Sequence, residues 1–347
     1  MVPTLEQLLQ GAHAFSVPLT HRFRRVEHRE GLLIEGPSGW GEFAPFVGYN
    51  SPTAARWLAA AIESAYGSWP SVEATRVAVN AIIPAVSLDA AVALAHVAVG
   101  EQGCRTIKVK VAEPMQSTAD DAARLRALRA TVGSGVAIRI DANAAWSVAQ
   151  AAAALPALID AAGGIEYVEQ PCASLAEIAQ LRDQLASPGD APTVRIAVDE
   201  AVRLEADPFD PDLHARIRAC ADVLIVKVAP LGGVEAARRI AESVGLPTVV
   251  SSAMDTSVGL SAGATLAAMI DGGVAHGLGT GSLLGADVTR QPLVPSAGSI
   301  AVGRVAVDPD LLAAAAARLA PDRITWWRQR LADAYPHLAA LPTVPPR

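Results

Sequence analysis

Lysine is scarce in this chain and occurs only within apolar, β-branched segments. Of the 28 basic residues, three are lysines: Lys108 and Lys110 lie in segment 106–111, and Lys227 lies in segment 223–228. A buried lysine amine can lose its proton and act as a base, whereas arginine stays charged in proteins. A coding bias toward arginine explains the other 25 basic residues, but not why the lysines lie where buried lysine is rare. The pattern therefore indicates positions that need a titratable amine.

Three acidic residues, Asp141, Glu169 and Asp199, each end a β-branched segment. They are 28 and 30 residues apart, about one βα unit each, so we expect them at one height on three successive strands. Such a ring of carboxylates repels itself unless it holds a hard cation, and Mg²⁺ takes oxygen ligands of this kind. Singly, each acid could be a helix N-cap or a loop salt bridge, but the even spacing favours a metal site. Replacing Asp141 by Asn is then expected to stabilise the metal-free protein.

The lysines keep the same spacing as the acids. Lys110 lies 31 residues before Asp141, and Lys227 lies 28 residues after Asp199. Lys108 and Lys110 are two residues apart, so their side chains share one face of their strand. Repulsion between the two ammonium groups should lower the pKa of each, which predicts one lysine able to act as a base near neutral pH.

Three further positions are candidates for substrate contacts. Arg139, two residues before Asp141, is expected on the same face of its strand, where it binds a substrate carboxylate or forms a salt bridge with a neighbouring acid. Ser252 and Gly279 follow the last two candidate strands, where a hydroxyl and backbone amides can hold the rest of the substrate.

Eight short β-branched segments alternate with amphipathic helical patterns between residues 76 and 282. Alternating strands and helices form parallel βα units, and eight such units close into a barrel. One helix is predicted across 120–129, where acidic residues begin the segment and arginines end it, as the helix dipole favours. The candidate strands are 76–79, 106–111, 136–140, 165–168, 194–198, 223–228, 248–250 and 276–278.

Both ends of the chain predict a separate α+β unit next to this barrel. We expect an N-terminal unit over residues 1–75, completed by 300–347, and a barrel over 76–299. The N-terminal unit is predicted to contain a hairpin and a helix, and the C-terminal segment a strand and a helix. These predicted elements are strands 24–35 and 40–46, helix 53–66, strand 300–307 and helix 311–319.

Composition excludes several functional classes. The net charge is −7, and the only basic cluster, 21–25, is too short for a nucleic-acid groove. No segment reaches the ~20 apolar residues of a membrane helix, and the first residues lack a signal-peptide pattern. The cysteines, at 104, 172 and 220, fit neither a disulfide framework nor a zinc site, which favours a reducing compartment. We therefore expect a cytoplasmic protein that binds a small molecule, with no nucleic-acid partner and no membrane insertion.

The ordered motifs resemble those of the enolase superfamily, and specifically of its muconate-lactonizing-type subgroup. The resemblance covers nearly the whole chain and implies a (β/α)7β barrel, with a capping domain built from both termini. It also implies a lysine base acting beside Mg²⁺, which is a known catalytic arrangement in this superfamily. The matching motifs are Lys108-Val-Lys110, Asp141-Ala-Asn143, Glu169-Gln-Pro171, Asp199-Glu200 and Lys227.

Within that subgroup the chain is most similar to the o-succinylbenzoate synthase family of the actinobacterial type. The resemblance implies dehydration of 2-succinyl-6-hydroxy-2,4-cyclohexadiene-1-carboxylate to 2-succinylbenzoate in menaquinone biosynthesis. It implies that Lys110 removes the α-proton and returns it to the departing hydroxyl, while Lys227 stabilises the negatively charged intermediate. Asp141, Glu169 and Asp199 would hold Mg²⁺, with Mn²⁺ as a substitute. The matching segments are 33–43, 108–114, 169–172, 224–233 and 249–253.

Several alternatives stay open at this point. N-acylamino acid racemases, dipeptide epimerases and cycloisomerases of the superfamily share the two-lysine arrangement, and capping loops decide the substrate. A Schiff-base aldolase would need one nucleophilic lysine and no set of three carboxylates. A non-catalytic barrel would not need the site residues, all of which are present. The oligomeric state is open. One departure from the family pattern is Ala144-Ala145, where relatives often carry Gly or Arg.

Overall fold

The computed structural model describes residues 2–23, 26–186, 194–270 and 272–342. The chain begins with a helix, a three-stranded antiparallel sheet and a second helix. In chain order these are α1 (Leu5–Gln10), β1 (Ala12–Phe23), β2 (Val26–Gly36), β3 (Gly39–Phe43) and α2 (Ser51–Tyr66). The predicted hairpin is confirmed as β2 and β3, which pair from Leu32 with Phe43 to Gly36 with Gly39. Residues 24 and 25 of that prediction, and 343–347 of the C-terminal segment, lie outside the described residues.

β1 has twelve residues but was not predicted from the sequence. Proline within a segment argues against a regular strand because it cannot donate to the ladder, and Pro18 lies inside β1. The pairing of β1 with β2 also shifts in register between Pro18 and Phe23. This irregularity obscures the alternation that would otherwise mark a strand.

Parallel strands form the centre of the molecule. After β4 (Arg76–Ala78), seven strands pair in chain order: β5 (Ala81–Ile83), β6 (Thr106–Lys110), β7 (Ala137–Asp141), β8 (Val168–Glu169), β9 (Ile196–Val198), β10 (Val223–Val226) and β11 (Thr248–Val250). The ring closes through His276 and Gly277, which form parallel bridges with Val79 on one side and Ser251 on the other. The predicted eight-stranded parallel barrel is therefore confirmed.

Helices lie between successive strands along the chain. They are α3 (Leu88–His96), α4 (Thr118–Val132), α5 (Val148–Ala162), α6 (Leu175–Leu185), α7 (Glu200–Arg203), α8 (Pro211–Cys220), α9 (Val228–Leu231), α10 (Val234–Val244) and α11 (Ser257–Met269). Three of them begin at a serine in a capping box, namely Ser117, Ser147 and Ser174. Each serine side chain satisfies a backbone amide of the first turn, which fixes where the helix starts after its strand.

The C-terminal segment adds β12 (Ser299–Ala301), α12 (Pro309–Ala316) and α13 (Pro321–Ala334). The first predicted barrel strand, 76–79, needs correction, because β4 pairs antiparallel with β12 and the parallel ladder with β6 runs along β5. The predicted strand 300–307 is likewise shorter, ending at Ala301. An antiparallel partner from the far end of the chain is not visible in local sequence periodicity.

The antiparallel sheet has its own apolar core, which includes Leu32, Trp57 and Trp327 from β2, α2 and α13. Glycine allows close approach here, since a Cβ at Gly41 would lie 2.0 Å from the carbonyl oxygen of Ala61. Within the described residues, no helix combines the length and apolar character required to cross a bilayer.

Candidate active site

The strand ends bring the predicted acids and lysines together. Lys110 lies directly opposite Asp141 in the pairing of β6 with β7, and Asp141 lies opposite Glu169 in the pairing of β7 with β8. Asp199 follows β9 directly and Lys227 follows β10. Strands β6 and β10 are separated by three strands in either direction around the ring, so the two catalytic lysine candidates approach from opposite sides.

Each strand-end acid forms an ion pair with a lysine. Lys108 Nζ lies 2.6 Å from Glu169 Oε2 and 3.1 Å from Asp141 Oδ2. Lys110 Nζ lies 2.5 Å from Asp141 Oδ2, and Lys227 Nζ lies 2.5 Å from Asp199 Oδ2. These lysines are 3–5% exposed, so the contacts are buried. In this arrangement the lysine ammonium groups supply positive charge that opposes repulsion among the three acids, and the expected metal site stays a prediction.

Burial and neighbouring charge act in opposite directions on Lys108. Burial alone would lower the pKa of its amine, but the carboxylates of Glu169 and Asp141 outweigh burial and raise the pKa. The expectation that the neighbouring lysine lowers the pKa of Lys108 is corrected by this arrangement, which holds Lys108 as a cation. Burial raises the pKa of Glu169 to about 7, and the charge of Asp141 adds to that increase.

The donor set fits a hard divalent cation in chemistry. Asp141, Glu169 and Asp199 are 0–1% exposed and supply carboxylate oxygens, which Mg²⁺ prefers. Glu169 Oε1 is buried and has no hydrogen-bond partner among the residues that the structure describes, an arrangement that native proteins rarely leave uncompensated. In the part of the chain that the structure describes, no three His, Cys, Asp or Glu side chains already form a metal-ligand group.

A small cavity of about 20 Å³ lies above the strand ends. Its charged lining consists of the three lysines and Asp141, and Phe46 from the segment after β3 also lines it. Sites for small organic ligands are typically about 300–1,000 Å³, so lining side chains must move for a ring-sized substrate to enter. The other lining residues are Ile82, Ser251, Ser252, Ala253, Met254 and Thr280.

The structure separates the three candidate substrate contacts. Ser252 lines the cavity. Arg139 does not, because its guanidinium donates to Glu166 at 2.9 Å and to Asn80 at 2.8 Å, which is the salt-bridge alternative. Gly279 packs against the backbone of Asn80, and the next residue, Thr280, lines the cavity instead. The Thr280 hydroxyl is buried and has no hydrogen-bond partner within the described ranges, so it is a polar group that a ligand could contact.

Arg203 is a site residue that sequence reasoning missed. Its Nε donates to Asp199 Oδ1 at 3.0 Å, its Nη2 to Glu200 Oε1 at 2.6 Å and its Nη1 to Tyr49 Oη at 2.7 Å. Burial opposes the charge, but Asp199 and Glu200 raise the pKa of the guanidinium. The spacing of four residues from Asp199, one helical turn, was the available signal. Arg203 thereby connects a strand-end acid to the N-terminal unit.

Models of known families match two parts of the chain. Residues 90–309 match the model described as enolase C-terminal domain-like, and residues 14–65 match the model described as enolase N-terminal domain-like. Among solved structures, the Bacillus subtilis L-Ala-D/L-Glu epimerase has a TM-score of 0.69 at 24% identity, covering 85% of this chain and 96% of that one. A Pseudomonas fluorescens muconate lactonizing enzyme has a TM-score of 0.70 at 18% identity, with coverages of 88% and 97%. At these identities the likeness shows the fold.

Curated relatives are much closer in sequence. The o-succinylbenzoate synthase of Mycobacterium marinum is 46% identical over 344 residues, which cover 97% of this chain and 98% of the relative. The o-succinylbenzoate synthase of Mycobacterium tuberculosis is 46% identical over 337 residues, with coverages of 96% and 97%. The chain therefore belongs to the enolase superfamily and, within it, to the o-succinylbenzoate synthase family.

Proposed function

We propose that this protein is an o-succinylbenzoate synthase that dehydrates 2-succinyl-6-hydroxy-2,4-cyclohexadiene-1-carboxylate to 2-succinylbenzoate. The observation that carries the proposal is that Lys110 and Lys227 reach one cavity from opposite sides of the barrel, beside strand-end acids. The 46% identity to proteins of that name over nearly the full length supports this substrate over others. The proposed place of the reaction is menaquinone biosynthesis, in the cytoplasm.

The proposed reaction is an elimination that uses one lysine twice. The neutral amine of Lys110 takes the proton from the carbon that bears the carboxylate, and the electrons of that C–H bond move toward the carboxylate. The resulting ammonium of Lys110 then donates the proton to the hydroxyl on the neighbouring carbon. The C–O bond breaks, water leaves and the ring becomes aromatic. A base and acid in one position explains loss of both groups from the same face.

The other side chains hold charge and orientation. The ammonium of Lys227, on the opposite wall, lies where it can stabilise negative charge as it forms. Asp141, Glu169 and Asp199 are the proposed ligands of Mg²⁺, with Mn²⁺ as a proposed substitute. When bound, the ion supplies positive charge beside the substrate carboxylate. Lys108, Ser252 and the segment around Gly279 are proposed to contact the substrate, and Arg139 is proposed to support the barrel through Glu166.

The proposed division into units follows the same reasoning. Residues 1–75 together with 300–347 are proposed to form the capping unit, and 76–299 the catalytic barrel. The separate apolar core of the antiparallel sheet supports this division, since α13 from the C-terminal segment packs there through Trp327 and Leu331. Phe46, from the proposed capping unit, lines the cavity of the barrel, so both units contribute to the site.

A spectrophotometric assay tests the proposed function. The purified protein should convert the cyclohexadiene substrate to 2-succinylbenzoate with Mg²⁺, and should lose this activity in excess chelator. N-acylamino acids, L-Ala-D/L-Glu and muconate, tested under the same conditions, represent the racemase, epimerase and cycloisomerase alternatives. Turnover of one of these compounds, with no dehydration of the cyclohexadiene substrate, would show that the proposed substrate is wrong. Full dehydration in excess chelator would reject the proposed role of the three acids.

A further inference from the structure

Glu42 links the antiparallel sheet to a loop of the barrel. It lies on β3 and is 6% exposed, and its side chain reaches the connection between β11 and α11. Glu42 Oε2 accepts hydrogen bonds from Thr256 N at 3.0 Å, Thr256 Oγ1 at 2.6 Å and Gly259 N at 3.2 Å. One oxygen of this carboxyl group thus fixes the end of the loop at residues 251–256, which we call the serine loop.

A second acid, Asp255, fixes the beginning of the serine loop. Asp255 is 8% exposed, and its Oδ2 accepts from Ser252 Oγ at 3.1 Å and from Ala253 N at 3.0 Å. The two acids lie close together, because a Cβ placed on Gly259 would be 2.7 Å from Asp255 Cβ and 3.0 Å from Glu42 Oε2. Because Gly259 is a glycine, it leaves room for both carboxyl groups to approach the loop.

One cation faces the two acids. Arg29 on β2 is 3% exposed, and its Nε donates to the carbonyl oxygen of Met254 in the serine loop at 3.1 Å. Burial lowers the pKa of Arg29, and the charges of Glu42 and Asp255 oppose that lowering only in part. A single guanidinium cannot balance two buried carboxylates, so one negative charge needs another partner.

Glu42 also lines a second small cavity. Its other oxygen, Oε1, is buried without a hydrogen-bond partner among the described residues, and Asp255 and Ser251 line the same space of about 20 Å³. Ser251 also lines the active-site cavity, so the two spaces share a wall. The remaining wall adds one hydroxyl, that of Ser64, which donates to the carbonyl oxygen of Ala60 at 2.9 Å. Its other residues are Ala60, Val228, Ala229, Gly259, Ala262, Gly263 and Leu278. Such a wall offers too few oxygens for a metal ion, which leaves a proton as the balancing charge.

We infer that Glu42 is a positioning residue that carries a proton on its carboxyl group and, together with the carboxyl group of Asp255, holds the serine loop against the active-site cavity. Ser251 and Ser252 on that loop line the cavity where the substrate is proposed to bind, so this inference deepens the proposed function and rests on it for the effect on KM. The pKa of Glu42 agrees with a bound proton, since burial and the charge of Asp255 raise it to about 8.

The raised pKa of Glu42 makes the free energy of unfolding depend on pH. Below the ordinary pKa of 4.5, Glu42 is protonated in both the folded and the unfolded chain. Between that value and about 8, the folded chain holds the proton and the unfolded chain does not, so stability falls as pH rises. The stabilising contribution is fully present at the acid end of this window and is lost as pH passes through the folded value.

Two substitutions at one position test the inference. Glu42→Gln keeps the accepting oxygen and replaces the acid proton by an amide proton, so it should retain near wild-type kcat and KM. Glu42→Ala loses both and should raise KM about tenfold, through a displaced serine loop, with a smaller effect on kcat. Melting temperatures without substrate, from about pH 5 to about pH 9, should fall in the wild type relative to Glu42→Gln.

The controls separate this inference from the proposed function. Asp255→Asn removes the charge that raises the pKa of Glu42, so the pH-dependent difference should shrink in that background. Parallel melting curves for wild type and Glu42→Gln, or equal damage in Glu42→Gln and Glu42→Ala, would overturn the inference. A melting temperature that depends on K⁺ or Na⁺ at constant ionic strength would show that a bound metal cation, not a proton, balances the charge of Glu42, and would overturn the inference. The expected melting pattern in a protein without dehydratase activity would reject only the proposed function.

Discussion

Substitution of Lys110 by arginine separates charge from titration at the proposed base. Lys110 Nζ contacts Asp141 Oδ2 at 2.5 Å and Asn143 Oδ1 at 2.6 Å. Arginine keeps the positive charge beside Asp141 but does not lose its proton. Lys110→Arg is therefore expected to fold and to lose general-base catalysis.

The magnitudes make the two effects distinguishable. Loss of a positioned base costs about 10²–10⁴ in rate, which is about 2.7–5.4 kcal/mol of activation free energy. Removing one partner of a buried ion pair costs about 3–5 kcal/mol of stability, but arginine retains the partner of Asp141. The remaining cost is overpacking, about 1–3 kcal/mol, because the side chain at this position is 4% exposed.

Lys108→Arg provides a matched control on the same strand. Lys108 lies two residues away on the same face, and Glu169 and Asp141 hold it as a cation by raising its pKa. Arginine preserves that cation, so Lys108→Arg should change KM more than the proton-transfer step.

Exchange of the substrate α-proton into deuterated solvent, followed by ¹H NMR, measures the proposed step directly. Dehydration is followed in parallel by ultraviolet absorbance, and urea unfolding gives the free energy of unfolding of each variant. Near wild-type exchange in Lys110→Arg would refute its role as the base. Equal loss of exchange in Lys108→Arg and Lys110→Arg would show that the site tolerates no arginine, rather than that one lysine titrates.

Three further substitutions test the site and its support. Asp141→Asn should lower the free energy of unfolding of the chelator-treated protein by about 3–5 kcal/mol in urea, because two buried ammonium groups share this carboxylate. A rise in the free energy of unfolding would instead show that repulsion among the three carboxylates outweighs their pairing with the lysines. Arg203→Lys should weaken Mg²⁺ binding by about 10–100-fold in calorimetry, because a point charge cannot hold two acids and a tyrosine together. Unchanged affinity would limit Arg203 to packing. Gly41→Ala should destabilise by about 1–3 kcal/mol or more, since its Cβ would meet Ala61, whereas Gly100→Ala meets nothing within 4 Å and should melt like the wild type.

Sequence spacing located the barrel and the strand-end residues because both follow from one repeating unit. A parallel strand and its helix take about 30 residues, so acids at that spacing end neighbouring strands, as the pairing of Asp141 with Glu169 shows. The alternation of side chains along a strand likewise placed Lys108 and Lys110 together, and both line the cavity. These are local rules, and they hold without knowledge of the rest of the fold.

Contacts between distant segments were beyond those rules. The pairing of β4 with β12 joins residues more than 200 positions apart, and nothing in the local pattern around Arg76 indicates it. The same is true of Glu42 and the serine loop, which meet only because the antiparallel sheet packs over the barrel. Arg139 illustrates the intermediate case, since its strand face was predictable but its partner, Glu166, was one of two open alternatives.

Lysine and arginine have different roles in this site because the geometry of their contacts differs. Arg203 uses its planar fork to hold Asp199, Glu200 and Tyr49 at once, an arrangement that resists change. Lys110 and Lys227 make point contacts through flexible chains, which can be exchanged for contacts with a substrate at low cost in geometry. Lys108 is held by two acids and serves as a charge, so scarcity of lysine alone does not identify a base. The scarcity instead marks positions of buried ammonium groups paired with strand-end acids, and among these Lys110 is the proposed base and Lys227 the proposed stabiliser of negative charge.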